Sequence, residues 1–152
     1  MLKIVIDTNV LIDALADRHS YTWRILKLVE KGELQAVASD KIIQEYQLVI
    51  DREVNNDADK SELQKFISQV EIVPVTQHVR VVRFDPEDDK FINLALSAQA
   101  AYIVSSDSHL LEIGSYRDIK ILKPINFYYL YQGAADSDGQ AAWADIFRGL
   151  FK

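Results

Sequence analysis

The segment LKIVIDTNVL, residues 2–11, decides the fold class that this chain predicts. Its first five residues are branched and apolar apart from one lysine, which is typical of a strand buried on both faces of a parallel sheet. Asp7, Thr8 and Asn9 follow where the strand should end, and their side chains offer oxygen ligands and helix caps. The functional crevice of an open α/β sheet lies at the carboxyl ends of its strands. Asp7 is therefore either a structural cap or the first ligand of a site.

The composition predicts one domain with a substantial core. The chain has 152 residues, of which 49% are hydrophobic, and a domain of this length buries about 70% of its unfolded surface. The chain contains no cysteine, which excludes a disulfide framework, a thiolate zinc site and a cysteine nucleophile. No apolar run approaches membrane-spanning length and no apolar leader precedes the first strand, so we expect a cytoplasmic protein without a membrane anchor.

The net charge of −6 bears on nucleic-acid binding. Lys and Arg supply most of the affinity in non-specific nucleic-acid binding, so an acidic chain is not expected to bind nucleic acid strongly in this way. A cluster of metal-binding carboxylates would by itself make the metal-free protein acidic. The charge therefore leaves a nucleic-acid substrate open.

Strands and helices alternate along the chain, which predicts a parallel α/β sheet. We predict strands over residues 2–6, 34–38, 70–75, 102–105 and 119–122. We predict helices over residues 10–15, 21–31, 40–52, 61–69, 86–100, 107–111 and 124–131. Residues 1–132 form the predicted domain. Residues 133–152 are predicted as a linker and a short amphipathic helix, which docks on the domain or contacts a partner.

Three further acidic positions could join Asp7. Asp107 also follows a predicted strand, so both carboxylates should lie at the same edge of the sheet. Glu45 falls at the border of the apolar face of the helix over residues 40–52, where it either extends to solvent or reaches the site. The last position lies in the run DPEDD, residues 85–89.

Within that run, helix capping and the helix dipole together explain three of the four acids. Asp85 before Pro86 is a good N-cap. Glu87 and Asp88 lie in the first helical turn, where negative charge favours the helix dipole. Asp89 is left as the best ligand candidate. Four converging carboxylates would repel one another, and Mg²⁺ or Mn²⁺ would both relieve that repulsion and activate water for phosphodiester cleavage.

These positions resemble the motifs of the PIN domain, the fold of VapC-type toxins and related metal-dependent ribonucleases. The matching segments are IVIDTNVL (residues 4–11), DPEDDKF (85–91), Ala95, YIVSSD (102–107) and Leu110-Leu111. The resemblance covers about residues 1–131 and is greatest to the PIN subgroup of toxin components. It implies a three-layer α/β/α sandwich around a central parallel sheet of about five strands. The chain departs from the family where glycine is common, at Gln99-Ala100-Ala101 and at Ser106.

The resemblance also implies a function and a site. The implied function is metal-dependent cleavage of single-stranded RNA by the toxin of a toxin–antitoxin pair, with an antitoxin partner and often homodimerisation. The implied catalytic and metal-binding acids are Asp7, Glu45, Asp89 and Asp107, with Mg²⁺ or Mn²⁺ as the cofactor and Glu45 completing the site or positioning water. The implied orienting side chains are Thr8, Asn9 and Ser105. The candidate contacts to RNA phosphates are Arg80, Arg83, Lys90 and His109.

Two other functions remain open at this point. The first is a PIN fold that binds RNA or a protein without cleaving, although the four intact acids argue against it. The second is a different aspartate chemistry, that of a phosphoacceptor or a haloacid-dehalogenase-like phosphatase. The phosphatase needs a second aspartate two residues after Asp7, and this chain has Asn9 there.

Overall fold

The chain alternates strands and helices in the predicted order. The computed structural model describes residues 1–83 and 85–135, and six strands and seven α helices lie within them. The strands are β1 (Lys3–Ile6), β2 (Gln35–Ala38), β3 (Glu71–Ile72), β4 (Tyr102–Val104), β5 (Ser115–Tyr116) and β6 (Ile119–Leu122). The helices are α1 (Thr8–Ala16), α2 (Tyr21–Glu30), α3 (Asp40–Glu53), α4 (Asp57–Ser68), α5 (Asp89–Ala98), α6 (Ser108–Ile113) and α7 (Pro124–Ala135). No helix in this described part is both long and apolar enough to cross a membrane.

β1 lies in the middle of one mostly parallel sheet. The strand order is β3-β2-β1-β4-β6-β5, and every neighbouring pair is parallel except β5 with β6. Ile4, Val5 and Ile6 are all fully buried, although successive side chains of a strand point to opposite faces of the sheet. Helices therefore cover both faces. The predicted α/β sandwich with a parallel central sheet is confirmed.

The strand order reverses between β1 and β4. The chain runs outward from β1 through β2 and β3, and then returns to place β4 on the other side of β1. Ligand sites of open α/β sheets lie outside the carboxyl ends of the strands at such a reversal. Ile6 pairs with Val104, so the residues directly after β1 and β4 lie level with each other. The topology thus places Asp7 and Ser105 side by side at the reversal.

Several boundaries differ from the sequence prediction for local reasons. β3 is a short exposed edge strand, since Pro74 lacks the N–H that a longer ladder would need. α4 begins at Asp57 instead of residue 61, because Asn56 caps it by accepting from the Asp59 amide at 2.8 Å. The predicted cap by Asp85 is absent: its side chain makes no capping hydrogen bond, and residues 86–88 form a 3-10 turn before α5 begins. The two-residue antiparallel strand β5 is too short to show a periodic pattern in the sequence.

The end of α7 bears on the predicted domain boundary. The helix continues to Ala135, which is inside the segment predicted as a linker. Residues 136–152, including the predicted amphipathic helix, lie outside the described residues.

Three polar side chains of α5 hold the connecting segment, residues 73–83, which joins β3 to the 3-10 turn. Asp89, Asn93 and Ser97 are spaced four residues apart, so they lie on one face of the helix. Each accepts hydrogen bonds of 2.7–3.1 Å from backbone amides of the connecting segment. The donating amides are those of Thr76, Gln77, Val79, Val81 and Val82. We call these three side chains the α5 ladder, and it fixes a segment that has no helix or strand of its own.

α5 ends on a left-handed residue that is not glycine. Gln99 has φ 57° and ψ 39°, and its amide donates to the carbonyls of the last turn of α5. Glycine is strongly favoured at this capping position, because a β-carbon makes the left-handed conformation cost about 1–2 kcal/mol. Gln99 stands where the PIN domains that the chain resembles often have glycine, and this difference costs stability but keeps the helix end.

We expect Gln99→Gly to raise the free energy of unfolding by about 0.5–1 kcal/mol, since it removes the β-carbon from a left-handed residue. Urea denaturation followed by circular dichroism measures this change. Gln69→Gly is the matched control, because Gln69 ends α4 with a φ of −96° and gains nothing from glycine. Equal effects of the two substitutions would contradict the role given to the left-handed conformation.

Candidate functional site

Asp7 and Ser105 are joined at the ends of β1 and β4. The Asp7 amide donates to the Val104 carbonyl at 2.9 Å, and the Ser105 hydroxyl donates to Asp7 Oδ2 at 2.7 Å. Asp7 is 5% exposed and Ser105 is fully buried. Asn9 is exposed and offers its backbone amide to Asp7 Oδ1 at 3.4 Å, which is a long capping bond. Asp7 therefore caps α1 weakly and is oriented mainly by Ser105.

Ser105 also connects Asp7 to Asp107. Its hydroxyl oxygen accepts from the Asp107 amide at 3.0 Å while its hydrogen is donated to Asp7. Asp107 is the N-cap of α6, and its Oδ1 accepts from the His109 amide at 2.7 Å. The two predicted acids that follow strands are thus brought to one crevice, which we call the acid crevice.

Asp88, and not Asp89, faces the other two aspartates. The sequence favours Asp89 as a ligand and explains Asp88 by the helix dipole. In the structure Asp89 is buried, and its Oδ1 accepts from two amides of the connecting segment at 2.8 and 2.9 Å. Asp88 instead lies within hydrogen-bonding reach of the Asp107 carboxyl. The 3-10 turn sets this direction, and the sequence pattern does not reveal that turn. The spacing of Asp89, Asn93 and Ser97 was the available signal that Asp89 serves the α5 ladder.

The environment of Asp88 shows how crowded the acid crevice is. Its Oδ2 is buried, and no donor among the described residues reaches it. Burial raises the pKa of Asp88 to about 7, and the hydrogen bond with Asp107 and repulsion from Asp85, Asp107 and Asp7 act in the same direction. Two carboxyl groups in contact need a proton or a cation between them.

Asp7 shows the same crowding. Burial is the largest cause that raises its pKa, and repulsion from Asp107 and Glu45 adds to the rise. The hydrogen bonds from Ser105 and from the Asn9 amide stabilise the charged form and oppose it. Glu45 is therefore close enough to act on Asp7 electrostatically.

Tyr46 ties α3 to the end of β1. Its ring is buried and its hydroxyl donates to the carbonyl of Ile6, the residue before Asp7. Burial raises the pKa of Tyr46, and the charges of Asp7 and Glu45 raise it further. Tyr46 lies on the buried face of α3, and the sequence analysis does not identify this bond. A buried tyrosine usually finds a hydrogen-bond partner, and this requirement was the available signal.

Glu45 turns toward the acid crevice and has both carboxylate oxygens engaged. Its Oε2 accepts from the Thr8 hydroxyl and its Oε1 accepts from the Lys90 ammonium. Thr8 is the buried first residue of α1, directly after Asp7. Lys90 follows Asp89 on α5. The side chain predicted to contact RNA is thus already paired with a predicted catalytic acid.

The other predicted RNA contacts lie at the surface near these acids. Arg80 and Arg83 are exposed, and His109 Nδ1 is 3.9 Å from Asp107 Oδ1. A cavity of about 390 Å³ lies between the start of α3, the connecting segment and the start of α5. Its basic lining residues are Lys41, His78 and Lys90. A second cavity, of about 240 Å³, is lined by Arg83 and His109. Acidic residues line the cavities as well, Asp40, Glu87 and Asp89 in the first and Glu112 in the second, so both cavities are of mixed charge.

The donors of the acid crevice fit a hard divalent cation by their chemistry. Within residues 1–83 and 85–135, no three His, Asp or Glu side chains are close enough together to hold a metal ion as they stand. Carboxylate oxygens are nevertheless the ligands that Mg²⁺ and Mn²⁺ prefer. The unpartnered Asp88 Oδ2 is a buried acceptor that such a cation would satisfy. The fit thus rests on the type of donor atom and on this unpartnered oxygen. The described residues do not form a closed coordination sphere.

Comparison with known families settles the wider assignment. The family profile of the PIN domain matches residues 3–109. The chain belongs to the PIN domain family. The matched region begins at β1 and ends two residues after Asp107, so it contains every acid of the crevice. The resemblance expected from the opening segment is confirmed, whereas no curated protein sequence matches the chain.

A solved structure supports the PIN fold. It is the crystal structure of VapBC2 from Rickettsia felis bound to a DNA fragment from their promoter. The TM-score is 0.55 at 15% sequence identity, and the match covers 80% of this chain and 98% of that chain. At this identity the likeness concerns the fold alone.

We expect Asp88→Asn to stabilise the metal-free PIN domain at pH 8. The pKa of Asp88 rises from the ordinary 3.8 to about 7 on folding, so the native state binds more protons than the unfolded state between these values. Wild-type stability therefore falls as the pH rises from about 4 through 7, and the asparagine variant lacks this loss. Thermal unfolding in EDTA at pH 5 and pH 8 measures the difference in stability between the variant and the wild type. Asp13→Asn is the control, because Asp13 is exposed. An advantage of the variant that is the same at both pH values would contradict the raised pKa.

Proposed function

We propose that this PIN domain is a metal-dependent endoribonuclease that cleaves single-stranded RNA. The observation that carries the proposal is the crowding of Asp7, Asp88 and Asp107 where the strand order reverses, with an unpartnered buried oxygen on Asp88. Holding carboxylates together out of water costs free energy, and a purely structural role does not require that cost. Membership of the PIN family, which includes nucleases, supports the same reading.

Asp7, Asp88 and Asp107 are the proposed metal ligands, with Mg²⁺ or Mn²⁺ as the ion. We prefer Asp88 to Asp89 because the Asp89 oxygen is used by the α5 ladder. A bound divalent ion would activate water and stabilise the charge that develops on a phosphodiester during cleavage. Glu45 completes the site from the side of α3.

The hydrogen-bonding side chains around the acids orient them. Ser105 fixes Asp7, while Thr8 and Lys90 together fix Glu45. Because each of these bonds restrains a carboxylate, the acids are positioned before an ion or a substrate arrives. This arrangement gives Thr8 and Ser105 the orienting role that the sequence proposes for them.

Single-stranded RNA suits the surroundings of the acid crevice. The bases of a single strand are free to enter cavities, whereas the bases of a duplex are paired and stacked. The cavity of about 390 Å³ is lined by the basic residues Lys41, His78 and Lys90, by the apolar residues Val73 and Pro74, and by the acids Asp40, Glu87 and Asp89. Basic groups suit the phosphates and apolar groups suit the base faces. Arg80, Arg83 and His109 are the further proposed RNA contacts.

We further propose that the domain is the toxin of a toxin–antitoxin pair, acting in the cytoplasm as a homodimer. Its likeness in fold to a chain of the VapBC2 complex supports a protein partner. That partner would be an antitoxin that blocks or occupies the acid crevice.

The proposal predicts opposite results for the neighbouring substitutions Asp88→Asn and Asp89→Asn. Purified protein should cleave a mixed single-stranded RNA panel with Mn²⁺ or Mg²⁺ and not with EDTA. Asp88→Asn and Asp7→Asn should lower the cleavage rate at least about 100-fold, because each removes a proposed ligand. Asp89→Asn should keep most of the activity, since its amide oxygen still accepts from the connecting segment.

Mn²⁺-induced thermal stabilisation provides a readout of ligation that does not depend on RNA. It should be lost in Asp88→Asn and retained in Asp89→Asn. Loss of the stabilisation in Asp89→Asn and its retention in Asp88→Asn would instead identify Asp89 as the metal ligand. If folded, partner-free wild-type protein cleaves no RNA with either metal, the non-cleaving PIN module becomes the better account.

A further inference from the structure

Lys90 carries a positive charge into the acid crevice. Its ammonium donates to Glu45 Oε1, and its side chain is only 15% exposed. The other ion-paired lysines among the described residues are 30–67% exposed. Exposed ion pairs contribute little to stability, so surface salt bridges seldom need an explanation. The pair of Lys90 and Glu45 is half-buried and lies beside Asp7, so its presence needs an explanation.

Each carboxylate oxygen of Glu45 already accepts one hydrogen bond. Thr8 donates to Oε2 from the start of α1, and Lys90 donates to Oε1 from the start of α5. The start of α5 is itself anchored, because Asp89 accepts from two amides of the connecting segment. Glu45 is thus held from two helices, and a metal ion that approached it would be repelled by the positive charge of Lys90.

We propose that Lys90 takes the place of a second divalent cation in this site. The acid crevice then binds one divalent ion, at Asp7, Asp88 and Asp107, while the ammonium of Lys90 neutralises Glu45. The inference rests on the proposed function for its divalent ion. Lys90 is a positioning residue in this account, because it acts through Glu45.

The position of Lys90 explains why a fixed ammonium is useful there. Lys90 lies between Glu45 and the cavity of about 390 Å³, where the RNA strand is proposed to lie. An ammonium has three donors, so one bond to Glu45 leaves two for phosphate oxygens. A lysine is also permanently attached to the chain, whereas a weakly held second ion exchanges with solvent.

The number of tightly bound Mn²⁺ ions tests this inference without RNA. Electron paramagnetic resonance of free Mn²⁺ during titration of the full chain gives the number bound. Wild type and Lys90→Arg should bind one ion each, because both keep a cation on Glu45. Lys90→Met should bind two, since no ammonium then neutralises Glu45 or repels a second ion there, and Lys90→Met combined with Glu45→Gln should return to one.

Lys27→Met is the matched control, because Lys27 is likewise a glutamate-paired lysine but lies on α2, outside the acid crevice. It should bind one ion, as wild type does. Two ions in wild type would overturn the role of Lys90 and leave the proposed nuclease intact. One ion in folded Lys90→Met would also overturn it. No bound ion in wild type would instead refute the metal site of the proposed function, and with it this inference.

Discussion

The hydrogen bond from the Ser105 hydroxyl to Asp7 is the constraint on which the rest of the site depends. It joins the ends of β1 and β4, the neighbouring strands between which the strand order reverses. A carboxylate buried as deeply as Asp7 is costly unless it is hydrogen-bonded, and Ser105 supplies that bond from the neighbouring strand. The same hydroxyl accepts from the Asp107 amide, so one side chain sets the relative position of two acids. The parallel register of β1 and β4 makes this arrangement possible.

Three consecutive residues, where the 3-10 turn meets α5, perform three different tasks. Asp88 faces Asp107, Asp89 holds the connecting segment and Lys90 neutralises Glu45. Successive side chains of a helical turn point about 100–120° apart, so neighbours in sequence reach different parts of the molecule. Asp89 therefore accepts hydrogen bonds from the backbone, whereas Asp88 has one buried oxygen, Oδ2, that no donor among the described residues reaches. The residue that packs the connecting segment and the residue that joins the acid crevice are therefore neighbours in the sequence.

The sequence predicts the fold well because the decisive signals are local. The apolar run before Asp7 and the alternation of strands and helices predict the parallel sheet, and the opening motif together with the segments 85–91 and 102–107 indicates the PIN family. The sequence also places Asp7 and Asp107 correctly at one sheet edge, since both follow neighbouring strands. It does not reveal that Asp89 accepts from the connecting segment while Asp88 faces Asp107, because these directions depend on a 3-10 turn that periodicity does not show. It could not pair Lys90 with Glu45 either, since 45 residues separate them along the chain.

The central claim is that Asp88 shares a divalent ion with Asp7 and Asp107 while Asp89 stays on the backbone. Crystals of the protein grown with Mn²⁺, with anomalous diffraction collected at the manganese absorption edge, test this claim directly. The account predicts one anomalous peak within ligand distance of Asp7, Asp88 and Asp107, with the Asp89 carboxylate still accepting from the amides of Val81 and Val82. A manganese ion bound by Asp89, with those two amides released, would contradict it.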